Sequence, residues 1–160
     1  MAEQRQYASC VVGDLLVGIR VEEVQEVTSG AELTPVPLAP PLVSGLLNLR
    51  GHIVTAIDLR RALQVRDRMP AERPVNLILR TDAGSVSLLV DQVGDVVDVD
   101  DDDFETSPPT LRGRLRELIA GAYKLDGKLL LVLETDAVLA CSSSETSPQT
   151  AEERVCGPSR

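Results

Sequence analysis

Aromatic side chains are nearly missing: the 160-residue chain has two tyrosines, one phenylalanine and no tryptophan. A core must therefore be assembled from Val, Leu, Ile and Ala, and nucleic-acid binding that relies on base stacking is disfavoured. Positive charge is also scarce, with 16 Lys and Arg against 25 Asp and Glu, a net charge of −9 and a pI near 4.6. That balance argues against DNA, RNA and anionic bilayers as partners. Long apolar runs are absent. The longest, Leu129 to Leu133, is far too short to span a bilayer, and the opening MAEQRQYAS lacks the apolar stretch of a secretory signal. Cys10, Cys141 and Cys156 are odd in number and widely separated, which gives neither a disulfide framework nor zinc-ligand spacing. The simplest reading is a cytosolic protein with reduced thiols.

The chain does have hydrophobic residues at 43%, enough for one domain or two small half-domains. Period-2 patterning and turn dipeptides predict an all-β fold with short helices. Tyr7 to Val12 and Leu15 to Ile19 flank the hairpin signal Gly13-Asp14. Val21 to Val27 is expected to begin as a helical turn and end extended. Thr34 to Pro41 carries four prolines and reads as a loop, and Gly45 to Asp58 reads as a strand pair turning at Arg50-Gly51. Arg66 to Pro74 is a polar connector. Val75 to Arg80 pairs with Ser85 to Val90, and the acidic segment Asp98 to Pro109 reads as a loop or linker. A helical turn is expected near Leu115. Ile119 to Leu125 and Lys128 to Leu133 flank Asp126-Gly127, and a short helix from Asp136 to Cys141 closes the fold. The folded domain is expected over residues 1–140, with 141–160 a polar, disordered tail that could be removed without loss.

The pattern repeats within the chain. Val21-Glu22-Glu23-Val24-Gln25-Glu26-Val27 aligns with Val90-Asp91-Gln92-Val93-Gly94-Asp95-Val96 at an offset of 69, and Gly45 to Leu63 aligns with Gly121 to Leu139 at an offset of 76. Two similar units of about five short strands each follow. Units this small are typically barrels, because closure removes exposed edges. In the alignment Arg50 falls on Asp126. Asp-Gly suits the positive φ angles of a type I′ turn, whereas arginine gains nothing from them. Arg50 therefore either packs and pairs locally or meets something outside the chain.

Catalytic constellations are lacking. His52 is the only histidine, with no Cys or second His near it, and reads as a surface residue; Asp58, six residues on, reads as strand-end polarity. Asp100 to Asp103 lacks the glycine and closing glutamate of a calcium-binding loop. No phosphate-cradling glycine loop or nucleophile elbow is present. No metal, cofactor or enzymatic activity is expected.

VQEV at Val24 to Val27, GLLNLRGHIVTAIDL from Gly45, LLVDQVGDVVDV from Leu88 to Val99 and LDGKLLLVLE from Leu125 together resemble the CheW family of bacterial chemotaxis coupling proteins, over about Tyr7 to Leu139. The resemblance implies two intertwined five-stranded SH3-like β-barrel subdomains. It implies a non-enzymatic scaffold in a two-component signal-transduction pathway, linking the cytoplasmic tip of a methyl-accepting chemoreceptor to the regulatory domain of a CheA-type histidine kinase. The protein would be cytoplasmic, at receptor arrays near the inner membrane, without direct membrane insertion. Partner-binding residues carried over by motif are Val24 and Glu26 from V-Q-E, Gly45, and Asn48, Leu49, Arg50 and Gly51 from N-L-R-G, with Glu26 the internal partner expected for Arg50. The rival readings are a detached regulatory domain that binds only its kinase and a small-molecule-binding barrel. Against the family pattern, Ser87 stands where glycine is frequent, and Ser9-Cys10 where aromatics are.

Overall fold

The computed structural model describes residues 4–30, 32–65, 73–82, 84–106 and 113–144. The chain runs β1 (Gln4–Val12), β2 (Leu15–Arg20), a 3-10 turn (Val21–Glu23), β3 (Val24–Ser29), β4 (Val43–Leu49), β5 (His52–Asp58), α1 (Leu59–Ala62), β6 (Val75–Thr81) and β7 (Gly84–Val90). It continues through β8 (Gln92–Asp100), a second 3-10 turn (Asp101–Asp103), β9 (Phe104–Thr106), α2 (Arg114–Leu118), β10 (Ile119–Leu125), β11 (Lys128–Leu133) and α3 (Thr135–Ser144).

The strands form a six-stranded sheet, β8-β1-β2-β11-β10-β9, and a five-stranded sheet, β3-β6-β7-β5-β4. In each sheet the two end strands are consecutive in the chain, an order that suits a sheet curled back on itself into a barrel. The hairpins are exchanged: β1–β2 lies with strands of the second half, and β6–β7 with strands of the first. This satisfies the internal repeat residue by residue. Val17 and Gly18 lie opposite Leu131 and Val132 in one parallel pair. In the other, Val86 and Ser87 lie opposite Thr55 and Ala56. These are the same offsets of 69 and 76 that the sequence shows.

Alternation along the strands divides the interior into three. A central core joins the sheets through Cys10, Val17 and Ile19 on one side and Ile57, Leu77 and Leu88 on the other, sealed by Leu59, Leu118 and Val138 from the helices. One barrel holds Tyr7, Val99, Tyr123, Leu130 and Val132. The other holds Leu47, Val54, Ala56 and Leu89. Ser87 is fully buried. Its hydroxyl donates to Asn76 Oδ1 at 2.9 Å, which meets the polar requirement that a buried serine brings where glycine would bring none.

Several expectations need correcting. Asp98 to Asp100 are not loop but the end of β8, and Phe104 to Thr106 form β9. The reason is tertiary. Val97 and Val99 pack toward the aromatic barrel interior, while Gln6 Nε2 donates to Asp98 at 2.8 Å and Arg5 pairs with Asp101 at 2.8 Å. Asp58 is buried and caps α1, its Oδ1 accepting from the Arg60 N–H at 3.0 Å. The closing helix runs to Ser144, so a boundary at residue 140 falls inside it; 145–160, and the connector at 66–72, lie outside the described residues.

Cys10 lies fully buried in the central core. Burial, reinforced by the charge of Asp91, pushes its thiol up to about 12. It is a neutral, unreactive thiol at physiological pH. In a Cys141→Ser, Cys156→Ser variant, a thiol reagent at about pH 8 should modify Cys10 only upon unfolding. Prompt labelling in native buffer would contradict the burial of β1.

Candidate functional site

The N-L-R-G segment is the tip of the β4–β5 hairpin. Leu49 pairs with His52, leaving Arg50-Gly51 as a two-residue loop, with φ of 54° and 87°. Both residues are left-handed, as a type I′ turn requires. In the repeat-related hairpin only Gly127 is left-handed, at φ 76°. The expectation is thus reversed: Asp126 sits in a turn that needs one positive φ, and Arg50 occupies the geometry that Asp was expected to favour. A non-glycine residue there costs about 1 kcal/mol or more. The Gly51 N–H donates to Asn48 Oδ1 at 2.9 Å, which fixes the loop.

Arg50 reaches across to β3. Its Nη1 donates to Glu26 Oε2 at 2.7 Å and its Nη2 to Glu26 Oε1 at 3.0 Å. A β-bulge between Val24 and Glu26 offsets Glu26 in the strand. The Arg50 side chain is 71% exposed and that of Glu26 22%, so the pair itself is worth at most about 1 kcal/mol. Since β3 and β4 are the two ends of the five-stranded sheet, the pair clasps the barrel across its seam. The second barrel has acids at both corresponding positions, Asp95 and Asp126, so no such ion pair can form there. Two of the five guanidinium donors are engaged; the rest of this group stands in solvent on a fixed stem.

Of the seven residues singled out by motif, Glu26, Asn48, Arg50 and Gly51 meet at this tip. Leu49 is half-buried and packs on the Leu47 cluster. Val24 is half-buried against the central core. Gly45 is buried at the bulge between Val43 and Gly45, where φ is 156° and an added Cβ would stand 2.7 Å from the Thr34 carbonyl oxygen. Gly45→Ala should therefore cost about 2 kcal/mol and lower the melting temperature by about 5 °C. An unchanged melt would show that the loop at Thr34 moves aside freely.

Two features escaped the sequence reading. Val27 and Ile53 are exposed apolar side chains, at 47% and 66%, the first beside Glu26 in sequence and the second directly opposite Asn48. Out-of-phase Val and Ile in these strands were the available signal. The other is a buried ion pair remote from the tip. Arg60 Nε donates to Asp91 Oδ1 at 2.8 Å and Nη2 to Oδ2 at 2.6 Å, and Asp91 Oδ2 also accepts from the Gly13 N–H at 2.7 Å. His52 is exposed. Among the described residues no three His, Cys, Asp or Glu side chains are placed to hold a metal, and no helix is long and apolar enough to cross a membrane.

Fold and site together define a paired SH3-like barrel protein whose distinctive surface is an arginine-bearing hairpin tip. The chain belongs to the CheW-like domain family, whose model matches residues 6–142. It is 28% identical over 143 residues to the chemotaxis protein CheW of Rhizobium meliloti, covering 89% of this chain and 92% of that one. It is 27% identical over 129 residues to CheW of Bacillus subtilis, covering 81% and 83%. The crystal structure of the scaffolding protein TtCheW from Thermoanaerobacter tengcongensis superposes with a TM-score of 0.74 at 24% identity, covering 82% of this chain and 90% of that one, and shares the fold.

Proposed function

We propose that this chain is a non-enzymatic cytoplasmic adaptor that couples the cytoplasmic tip of a methyl-accepting chemoreceptor to the regulatory domain of a CheA-type histidine kinase. Its relatives bear the name chemotaxis protein. The observation that carries the reading is Arg50: a charged side chain kept in an unfavourable left-handed turn, gripped by Glu26, with donors left over for a second molecule. Val27 and Ile53 supply apolar contact beside it, and single charges set the register of the docked partner. Glu26, Asn48, Arg50 and Gly51 form the contact surface, and Val24, Gly45 and Leu49 hold the strands that present it.

Reconstitution tests the proposal. Kinase activity should respond to membrane-embedded receptor only when this chain is added, and the chain should bind a receptor fragment and the isolated kinase regulatory domain separately. A detached regulatory domain would bind the kinase alone. Folded chain that binds neither partner would overturn the assignment.

A further inference from the structure

The chain's three aromatic residues gather in one barrel. Tyr7 and Tyr123 lie with ring centroids 5.5 Å apart, and Phe104 and Tyr123 5.1 Å apart. Above them is a cavity of about 240 Å³ lined by Arg5, Tyr7, Arg20, Asp101, Phe104 and Tyr123. It adjoins a second cavity, of about 370 Å³, which shares Arg5, Tyr7 and Arg20 and reaches Glu22.

The internal repeat shows what is unusual here. Tyr7 pairs with Arg20 in β1–β2, and the corresponding pair in β6–β7 is Asn76 with Leu89. Leu89 is buried and fills the inside of its barrel. At the same position the aromatic barrel carries an exposed arginine and is open. Arg5 is held by Asp101 at 2.8 Å, whereas Arg20 makes no ion pair among the described residues, although the chain carries a net charge of −9. Burial, then the hydrogen bond to Tyr7, raises the Tyr123 phenol well above its ordinary range, so the cavity floor stays neutral.

We propose that this barrel mouth binds a carboxylate carried on an apolar stem. Arg20 takes the carboxylate as a planar two-point contact. Phe104, Ala120 and the rings beneath receive the stem. With Arg5 paired to Asp101, Arg20 is the one cation in the lining left to meet a carboxylate, and Glu22 at the rim disfavours a polyanion. The carboxylate has two sources, a free organic acid or a glutamate side chain of a partner protein.

The chain reports on this site without a label. It contains no tryptophan and two tyrosines, both lining the cavity, so intrinsic tyrosine fluorescence reads the mouth alone. Titration with 3-cyclohexylpropionate should give a saturable change, and its neutral amide should bind roughly tenfold more weakly or worse. A short end-blocked peptide with one central glutamate, compared with its glutamine twin, forms the second arm. A response to the peptide alone assigns the site to a partner's side chain; a response to the acid alone assigns it to a free acid. Arg20→Leu, which copies Leu89, should keep the fold and abolish the response; Arg20→Gln serves if the leucine variant does not fold. Absence of a saturable response to both acids overturns the proposal. So does an equal response to the neutral twins, or an undiminished response in the folded Arg20 variant.

Discussion

Asp91→Ala is expected to destabilise the fold by about 3 kcal/mol, with a fall in melting temperature of roughly 10 °C. Asp91 sits where β7 passes into β8, Arg60 in α1, and Gly13 at the turn between β1 and β2. One carboxylate therefore ties three segments drawn from both sheets. The Arg60 side chain is 10% exposed and that of Asp91 17%, so removing the acid takes two charge-assisted hydrogen bonds from a nearly buried guanidinium and one from the Gly13 N–H. Losing the partner, rather than losing the pair, dominates the penalty. Arg60→Met combined with Asp91→Leu should accordingly recover more than half of the loss, a non-additivity that a double-mutant cycle measures directly. An Asp91→Ala protein melting within two degrees or so of the parent would show that the three segments are held by packing alone.

Replacing Arg50 with glycine should separate stability from binding. Glycine relieves the left-handed turn by about 1 kcal/mol and forfeits an exposed ion pair worth no more than about the same. The melting temperature should stay level or rise slightly. Arg50→Ala keeps the backbone strain and loses the pair, so it should melt a little lower. Both variants should bind a receptor fragment roughly tenfold or more weakly, the scale of one charged contact. Binding to the kinase regulatory domain should suffer less. Affinities for both partners are to be measured on the same folded protein. Unchanged receptor affinity in the glycine variant would remove Arg50 from the contact surface and leave Glu26–Arg50 as a seam clasp only.

The fold was legible where local signals agreed. Alternation and Gly-bearing turns marked the β1–β2, β4–β5, β6–β7 and β10–β11 hairpins, and the repeat offsets reappear in the sheet registers. The acidic run misled because β8 is stabilised from outside itself: its valines and its Asp98 find partners on β1, across more than ninety residues of chain. The pairing of Arg50 with Glu26 followed from the family motifs, but the turn type did not, because which hairpin adopts two positive φ angles depends on the side chain that must be aimed. Arg60–Asp91 was invisible for the same reason that β8 was. Two charged residues 31 positions apart carry no mark of being neighbours until the hairpins are exchanged.

That exchange bears on how the protein is made. When the first five strands have left the ribosome, neither sheet can be finished: β1 and β2 still lack β8 and β11, and β3 and β5 still lack β6 and β7. The nascent half presents unpaired strand edges and uncovered Val and Leu faces until the second half is synthesised. Pairings this distant in sequence also form slowly. The chain therefore passes through a vulnerable interval during translation that two independent barrels in series would avoid. Shortening that interval, by supplying the second half as a separate fragment, should raise soluble yield if the halves can complete one another in trans.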